Sequence, residues 1–301
     1  MSAASSVPAA ITRWAAVLLL CLGLVPLRAQ TVPYVSTAED IALAEMVLQD
    51  LAGHVQAEDG PALMVRAAKQ LLGQPYVAGT QEGREETLRI YLTKTDCLLF
   101  AETCLGLVRS AQRCGADATF EDLAASLRDS RYRRGRVDGY ASRLHYTAEW
   151  IAQGVESGLF RDVTAGLGGV PDTRPIHFMS QHPDSYAPLK GESQYARDNL
   201  QDIVRMEEAV NRIPRSYIPK EKLPAVEGGI RSGDILCFAT SIDGLDYSHV
   251  VVAYREKTGA RLGFIHASTS AKKVIVEPRT LEAYLRANSK ITGVTVLRLS
   301  E

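Results

Sequence analysis

The sequence predicts an α+β domain in which helices come first and an antiparallel sheet follows. Apolar residues between positions 37 and 113 recur three and four apart, the spacing of a helix that buries one face. After position 233 the apolar stretches are short, β-branched or alternating, and turn signals separate them. Helices followed by strands, without strict alternation, is the order expected of an α+β fold. The 301 residues can bury one large core or two small ones.

The N-terminal segment is typical of an export signal. Arg13 precedes an apolar run over residues 14–27, and Ala29 completes a small-residue cleavage site. The run is too short to span a bilayer comfortably. We therefore expect residues 1–29 to be removed and residues 30–301 to form a single domain. That domain would be exported, periplasmic or secreted, with no stable membrane insertion. A membrane anchor or a buried helix is the alternative interpretation of the segment.

Helices are predicted in order through the first half of the chain. The first covers residues 37–58, and the second, over 61–72, is bounded by Pro61 at its start and Gly73 just past its end. Gly115 closes a long third helix. The third helix and two further ones are expected at residues 97–113, 120–127 and 147–157, and a short strand at 88–92.

The second half of the chain contains a long irregular stretch and then strands. Residues 158–224 are rich in Pro, Ser, Asp and Tyr, with short helices expected around 194–211. A stretch this long in a compact domain is usually functional or carries small elements of its own. The antiparallel strands are expected at residues 234–240, 248–254, 262–266, 274–277 and 292–299.

Charge and cysteine content argue against several classes of function. The net charge is −1, from 34 Lys and Arg against 35 Asp and Glu, so nothing suggests nucleic acid as a partner. No CxxC pair or cluster of Cys and His is present, so we expect no metal and no cofactor. An oxidising destination favours bridges, yet the spacing fits no small disulfide scaffold. Cys104 and Cys237 fall on predicted core positions, and the disulfide status of these two and of Cys114 stays open.

Cys97 stands where the long third helix should begin. Thr95 or Asp96 can cap that helix. A helix N-terminus and a nearby imidazole stabilise a thiolate, which makes Cys97 a candidate nucleophile. The alternative is that Cys97 is one more buried, inert cysteine, because free cysteines are commonly buried.

Two histidines could supply the partner imidazole. His249 is at the head of one predicted strand, and His266 is at the end of the next, seventeen residues later. If the strands pair as a hairpin, the two rings lie near each other at one end of the sheet. One could act as general base while the other holds it in the useful tautomer. The alternative is that both are structural and make local hydrogen bonds.

These residues carry a family resemblance. The ordered segments Gly73-x-Pro75-Tyr76, Asp96-Cys97, Gly233-Asp234, His249-Val250-Val251-Val252 and Ile265-His266-Ala267 resemble the NlpC/P60 cysteine peptidases. The resemblance covers about residues 70–115 and 228–300 and implies a papain-like core that acts on peptidoglycan. It also implies a nucleophile at a helix N-terminus, packed on the antiparallel sheet. Residues 116–227 would then be substrate-recognition insertions.

Further segments resemble a narrower branch, the DUF1460 family. They are Asp96-Cys97-Leu98-Leu99-Phe100-Ala101-Glu102, Ser142-Arg143-Leu144-His145-Tyr146, His177-Phe178-Met179-Ser180 and Ile213-Pro214-Arg215-Ser216-Tyr217-Ile218-Pro219. Leu98-Leu99 departs from the Thr residues that commonly follow the cysteine. The resemblance implies an N-acetylmuramoyl-L-alanine amidase whose substrates are 1,6-anhydro-muropeptides.

The roles of the catalytic residues follow from the chemistry of an amide. Cys97 would attack the carbonyl of the lactyl–alanine bond, and His249 would take the thiol proton and later protonate the leaving amine. His266 would orient His249. The backbone N–H of Cys97 and the hydroxyl of Tyr76 could stabilise the oxyanion, although Tyr76 could equally be a packing residue.

The insertions would form the sugar side of the cleft. Aromatic rings and polar groups suit sugar faces and hydroxyls, and a structural role is the alternative for each candidate. Glu102 is expected to be structural. The candidate substrate-binding residues are Arg143, His145, Tyr146, Trp150, His177, Phe178, Ser180 and Tyr217.

Two other functions stay open at this level. A γ-D-glutamyl-diaminopimelate endopeptidase would use the same cysteine centre on the stem peptide. A non-catalytic protein that binds the cell wall would keep the fold without turnover.

Overall fold

The long helices precede most strands of the sheet in a computed structural model that describes residues 32–83, 85–257 and 259–300. The predicted export signal lies outside these residues. The helices are α1 (Ala38–Ala52), α2 (Gly60–Gln70), α3 (Cys97–Cys114), α4 (Phe120–Arg131), α5 (Thr147–Glu156), α6 (Phe178–Gln181), α7 (Gln194–Val210), α8 (Leu223–Val226) and α9 (Leu281–Ala287). The strands are β1 (Tyr34–Val35), β2 (Leu88–Arg89), β3 (Phe160–Asp162), β4 (Val170–Pro171), β5 (Ser216–Pro219), β6 (Ile235–Thr240), β7 (Tyr247–Tyr254), β8 (Gly263–Ser268), β9 (Lys273–Val276) and β10 (Ile291–Leu299).

The main sheet is antiparallel throughout its described length. Its strand order is β4-β5-β10-β6-β7-β8-β9, and β3 pairs with the end of β10 beside β5. Strands β1 and β2 form a separate parallel pair. The predicted mixed architecture, with helices first and an antiparallel sheet after them, is confirmed.

Both faces of the sheet are covered. Because side chains alternate along a strand, Val250 and Val252 of β7 belong to the larger core, which contains α1 to α5. Val251 and Ala253 point to the other face and join a smaller core that includes Leu285 of α9. Strand β7 therefore lies between two apolar layers, as its nearly continuous apolar sequence requires.

Helix α3 is the centre of the larger core. It contacts α1, α2 and α4 on its outer sides and β7 and β8 of the sheet. Its Gly106 allows close packing of α4, since a Cβ there would lie 3.0 Å from Leu123. Glu102 of α3 is 2% exposed and pairs with Arg131 at 2.9 Å, the structural role that the sequence predicted. These contacts fix the position of the N-terminus of α3.

The middle of the chain is more ordered than its composition predicts. The helix expected around residues 194–211 is present as α7. Strands β3, β4 and β5, however, were expected to be irregular and instead extend one edge of the sheet. They are only two to four residues long, so pairing with β10 or with each other, rather than an internal pattern, defines them.

The four cysteines in the described residues are all unpaired. Cys104 and Cys237 are buried in the core, as their positions predicted, whereas Cys97 and Cys114 are half-buried. Within the described residues, no helix is both long and apolar enough to cross a membrane. No group of three His, Cys, Asp or Glu side chains in that part of the chain is arranged to hold a metal ion.

Candidate active site

The start of α3 is fixed by local backbone contacts. The carboxylate of Asp96 accepts a hydrogen bond from the N–H of Leu99 at 2.9 Å and caps the helix. Thr95 lies beside the segment that contains Tyr76, since its carbonyl accepts from Val77 N–H at 2.8 Å. Cys97 is consequently held at the first position of the helix.

The sheet loses its hydrogen bonding next to this helix start. Pairing between β7 and β8 stops at Val252, opposite Ile265. Strand β7 nevertheless begins at Tyr247, and β8 continues to Ser268. The backbone groups near the beginning of β7 are therefore not used by β8.

One of these free groups contacts the thiol. The N–H of Ala253 donates to Asp234 on the β6 side of β7. Successive N–H groups alternate sides, so the N–H of Val250 points toward β8. It lies close enough to the sulfur of Cys97 to favour the thiolate. The nucleophile candidate thus lies against the residue that directly follows His249.

The two predicted histidines lie together. β7 and β8 form the expected hairpin, and His249 Nε2 is 2.6 Å from His266 Nδ1. His266 is 2% exposed, whereas His249 is half-buried. The ring of His266 packs edge-on against Phe264 at 4.9 Å. One ring is therefore held firmly inside the protein, and the other remains partly accessible at the start of β7.

An acidic residue that the sequence analysis did not single out stands behind His266. Glu277 Oε2 is 3.3 Å from His266 Nε2, and Glu277 Oε1 accepts from Arg279 Nε at 2.6 Å. Glu277 was predicted only as the end of a strand. The signal that could have found it is the hairpin register, which places this strand end opposite Phe264.

Burial keeps both imidazoles neutral. It lowers the pKa of His249 to about 3, and the nearby His266 adds to the effect. Burial also lowers the pKa of His266 to about 4, even though Glu277 favours its charged form. A neutral imidazole has a free lone pair, which a general base requires.

The thiol is also neutral at rest. Burial raises the pKa of Cys97 to about 12, and the carboxyl of Asp96 adds to the rise. The backbone N–H groups of Val250, Leu98 and Cys97 oppose it but do not compensate. The expectation that the helix start would stabilise a thiolate is therefore wrong for the resting protein, because loss of water around the sulfur outweighs the helix dipole.

Tyr76 lies close to the sulfur. Its backbone N–H donates to Lys272 O at 2.9 Å, and it pairs with Thr95 through a single bridge. Burial raises the pKa of the Tyr76 hydroxyl to about 12, and the charge of Cys97 contributes. The hydroxyl is thus a protonated donor in the neighbourhood of the thiol.

No hydrogen bond joins the Cys97 thiol to His249 within the described residues; the hydrogen bond of that imidazole is to His266. Hydrogen bonds between catalytic groups are often long until substrate binds. The contact between Cys97 and His249 stays a prediction.

Comparison with known proteins identifies the family. The model of the N-acetylmuramoyl-L-alanine amidase-like (AmiA-like) family matches residues 66–294, more than half of the chain. The chain belongs to this family. The amidase resemblance found in the sequence is confirmed at this level.

Solved structures with the same fold cover most of this amidase-like chain. An N-acetylmuramoyl-L-alanine amidase from Bacteroides uniformis is 34% identical, with a TM-score of 0.74, over 80% of this chain and 99% of that one. A Bacteroides fragilis protein described as a putative xylanase is also 34% identical, with a TM-score of 0.71, over 77% and 99%. A DUF1460 protein from Legionella pneumophila shares the fold at 18% identity, with a TM-score of 0.65 over 88% and 97%. The curated proteins gave no match.

Two of the predicted substrate-binding residues of this amidase-like protein are already engaged. Arg143 is 9% exposed, and its guanidinium pairs with Glu82 at 2.8 Å and Glu86 at 3.1 Å. His145 bonds through Nε2 to the carbonyl of Tyr140 at 2.8 Å, and burial holds its pKa well below the usual value. Both side chains have structural partners that account for them.

Two more predicted residues belong to the core. The Tyr146 hydroxyl donates to Glu207 at 2.8 Å and accepts from Met179 N–H at 2.9 Å. Trp150 is 1% exposed and packs on Phe160, with ring centroids 4.9 Å apart. Direct contact of either ring with a sugar would require the core to open.

Three others lie half-buried at the same end of the sheet as His249. The backbone N–H groups of His177 and Phe178 both donate to Gly244 O at 3.0 Å, three residues before β7 begins. Ser180 follows in α6, and its hydroxyl donates to His177 O at 3.1 Å. The structure therefore brings this segment to the end of the sheet where the candidate site lies.

Tyr217 is placed differently. It is half-buried in β5, and the guanidinium of Arg174 lies 5.6 Å from its ring centroid. Strand β5 is separated from β7 by β10 and β6, so three spacings of about 4.8 Å, or about 14 Å, lie between them. Tyr217 could therefore contact only a substrate long enough to extend from β7 to β5.

Proposed function

We propose that the protein is an exported N-acetylmuramoyl-L-alanine amidase of peptidoglycan with a cysteine nucleophile. Its substrate would be a muropeptide, cut at the amide between (1,6-anhydro-)N-acetylmuramic acid and the stem peptide. The observation that carries the proposal is that Cys97, at the start of α3, lies close to the N–H of Val250, the residue after His249, whose ring pairs with that of His266. The core would be papain-like, of the NlpC/P60 type.

The first half of the reaction forms an acyl-enzyme. As the sulfur of Cys97 attacks the lactyl carbonyl, Nδ1 of His249 takes the thiol proton. The tetrahedral oxyanion then collapses to a thioester, the C–N bond breaks, and the proton passes from His249 to the departing amine of L-alanine. Because both partners are neutral at rest, the thiolate would arise only during attack.

The second half restores the enzyme. Water attacks the thioester while His249 accepts one of its protons, and the C–S bond breaks to release the muramic acid carboxyl group, which loses its remaining proton to solvent. The proton returns to the sulfur of Cys97. His266, whose Nδ1 is 2.6 Å from His249 Nε2, would accept a hydrogen bond from that nitrogen throughout and leave Nδ1 of His249 free to act.

The oxyanion needs donors that are in place before the reaction. The backbone N–H of Cys97 is at the first position of α3. N–H groups in the first turn of a helix have no intrahelical carbonyl to donate to, so this one can donate to an oxyanion. The Tyr76 hydroxyl, which remains protonated, is the second candidate. Both donors would act on the same developing charge beside the sulfur.

The middle region would bind the sugar and stem peptide. Of the predicted residues, the best placed to contact substrate are His177, Phe178 and Ser180. They are half-buried at the end of the sheet where His249 lies. Phe178 stacks on His182 with ring centroids 4.2 Å apart, which forms a flat aromatic surface suited to a sugar face.

Incubation with purified 1,6-anhydro-muropeptides, followed by mass analysis, tests the proposal. Free anhydro-disaccharide together with intact stem peptide is the expected result. A shortened stem with the sugar attached would replace it with a γ-D-glutamyl-diaminopimelate endopeptidase. Tight binding without any product would replace it with a cell-wall-binding protein.

Export is tested separately. The N-terminal sequence of the mature protein, recovered from the extracytoplasmic fraction of its producer, should begin at residue 30. Recovery of the uncut chain from the cytoplasm would overturn the export proposal while leaving the reaction chemistry untouched.

A further inference from the structure

His266 has a polar side chain beside each of its ring nitrogens. Nδ1 is 2.6 Å from His249 Nε2, and Nε2 is 3.3 Å from Glu277 Oε2. The second contact is an ion-pair contact rather than a well-aligned hydrogen bond. Only 2–3% of either side chain is exposed, so water is not an alternative partner for Nε2. The two histidines and Glu277 thus form a continuous line that ends inside the protein.

Glu277 is itself fixed. Its other oxygen, Oε1, accepts from Arg279 Nε at 2.6 Å, and it also accepts from the backbone N–H of Arg279 at 3.4 Å. The guanidinium lies over the ring of Tyr284, 4.6 Å from its centroid. Burial alone would raise the pKa of Glu277, but the hydrogen bonds from Arg279 lower it below its usual range. The carboxylate is therefore charged and can only accept.

We propose that Glu277 is a positioning residue that sets the direction of the hydrogen bonds through His266 to His249. A charged acceptor at Nε2 of His266 requires an N–H there, which leaves Nδ1 as an acceptor. Nδ1 can accept only from a protonated Nε2 of His249. The lone pair of His249 is then on Nδ1, the nitrogen that the proposed function assigns to the Cys97 proton.

The inference deepens the proposed function and rests on it for the role of His249. The order of protons along the line, however, is a property of the resting protein. Glu277 touches neither the thiol nor the base, so its effect on turnover passes through the tautomer of His266. Without the carboxylate, a part of the molecules would hold the opposite tautomers and turn a donor toward the thiol.

Substitutions at Glu277 test this effect in the full mature chain. Glu277→Met removes the acceptor at similar size and should lower kcat by about 10-fold to 100-fold with KM unchanged, part of the about 10²–10⁴-fold that a general base contributes. Glu277→Gln restores a neutral acceptor and should recover part of the loss. The matched control is Glu282→Met on α9, where the carboxylate pairs with Arg261 and Arg286 instead.

The pattern across these variants decides the outcome. A graded series of kcat values, with Met lowest, Gln intermediate and the control at the wild-type value, supports the proposal. Equal loss at Glu277 and Glu282, or a loss confined to KM, overturns it. Circular dichroism identifies a variant that fails to fold. If Glu277→Met does not fold, Glu277→Gln alone decides, and a wild-type kcat in that variant overturns the proposal.

A second measurement does not depend on amidase activity. Nitrogen-15 NMR of imidazole-labelled protein should find His266 protonated at Nε2 and His249 protonated at Nε2, with Nδ1 of both unprotonated. Glu277→Met should introduce the opposite tautomers. Protonation of Nδ1 of His266 in the wild type would overturn the proposal even if muropeptides are cut. A protein that cuts none but keeps this tautomer order would refute only the proposed function.

Discussion

His249 Nε2 and His266 Nδ1 lie 2.6 Å apart although seventeen residues separate them in the chain. The hairpin formed by β7 and β8 creates this contact, and the end of their pairing at Val252 leaves room beside it. One nitrogen of each ring is used in the contact. Nδ1 of His249, at the start of β7, is the nitrogen left for the proposed chemistry with Cys97.

Removal of the orienting ring should be less damaging than removal of the nucleophile. Cys97→Ala should abolish turnover of muropeptides with the melting temperature nearly unchanged, whereas His266→Ala should leave a measurable remnant of kcat because His249 can still reach the right tautomer part of the time. Single-turnover assays with circular dichroism provide the measurement. Equal residual rates in the two variants would contradict the assigned roles.

Acid should destabilise the fold through the buried imidazoles. Burial lowers the pKa of His249 to about 3 and that of His266 to about 4, below the unfolded value of about 6.5. Between these values the unfolded chain binds more protons, so the free energy of unfolding should fall as the pH drops from about 6.5 toward about 4. Calorimetric melting across this range measures it. His249→Gln, which cannot be protonated, should have a shallower slope; a slope identical to that of the wild type would count against buried neutral histidines.

The charge of Asp96, which caps α3, should slow the reaction of the Cys97 thiol with alkylating agents. Asp96→Asn keeps the side-chain oxygen that accepts from Leu99 N–H but removes the charge that helps raise the pKa of Cys97. Alkylation of Cys97 by iodoacetamide at pH 8 should therefore accelerate by about fivefold. This factor corresponds to the removal of about 1 kcal/mol of repulsion between the Asp96 carboxylate and the thiolate. The assay needs a Cys114→Ser background, since Cys114 is also half-buried.

The control for this prediction is Asp59→Asn. Asp59 caps α2 by accepting from Ala62 N–H at 2.9 Å, so the same substitution is made at another helix start. It should leave the alkylation rate of Cys97 unchanged. Acceleration in both variants would point to loosening of the helices in place of a local charge effect.

Breaking the buried ion pair of α3 should be costly. Arg131→Met leaves Glu102 charged, 2% exposed and without its 2.9 Å partner, and should lower the free energy of unfolding by about 3–5 kcal/mol. Arg128 is on α4, as Arg131 is. Arg128→Met breaks only the exposed pair with Asp129 and should lower the free energy of unfolding by about 0–1 kcal/mol. Urea denaturation compares the two, and equal losses would refute the special cost of burial.

The parts of the site that follow from local sequence were predictable. Periodicity and a capping residue located Cys97 at a helix start, and two strands separated by a turn brought His249 to His266. In each instance the prediction rests on a short-range sequence pattern, and the helix start and the hairpin that it predicts are kept in the tertiary fold.

The parts that depend on distant packing were not predictable. Tyr146 and Trp150 are of residue types that are common on sugar-binding surfaces. Their contacts with Glu207 and Phe160, respectively, place them in the core. Glu277 was predicted only as the end of a strand, and the pairing of that strand with β8 buries it. The pKa of Cys97 rises instead of falling because its surroundings, contributed by separate elements, exclude water.

The high pKa of Cys97 has a consequence for survival of the protein. A thiolate attacks peroxides and disulfides far faster than a thiol does, so a sulfur that stays protonated at neutral pH oxidises slowly. Outside the reducing interior of a cell, no repair system would rescue a sulfinic acid at this position. The burial that keeps the sulfur of Cys97 protonated at rest would also preserve it between encounters with substrate.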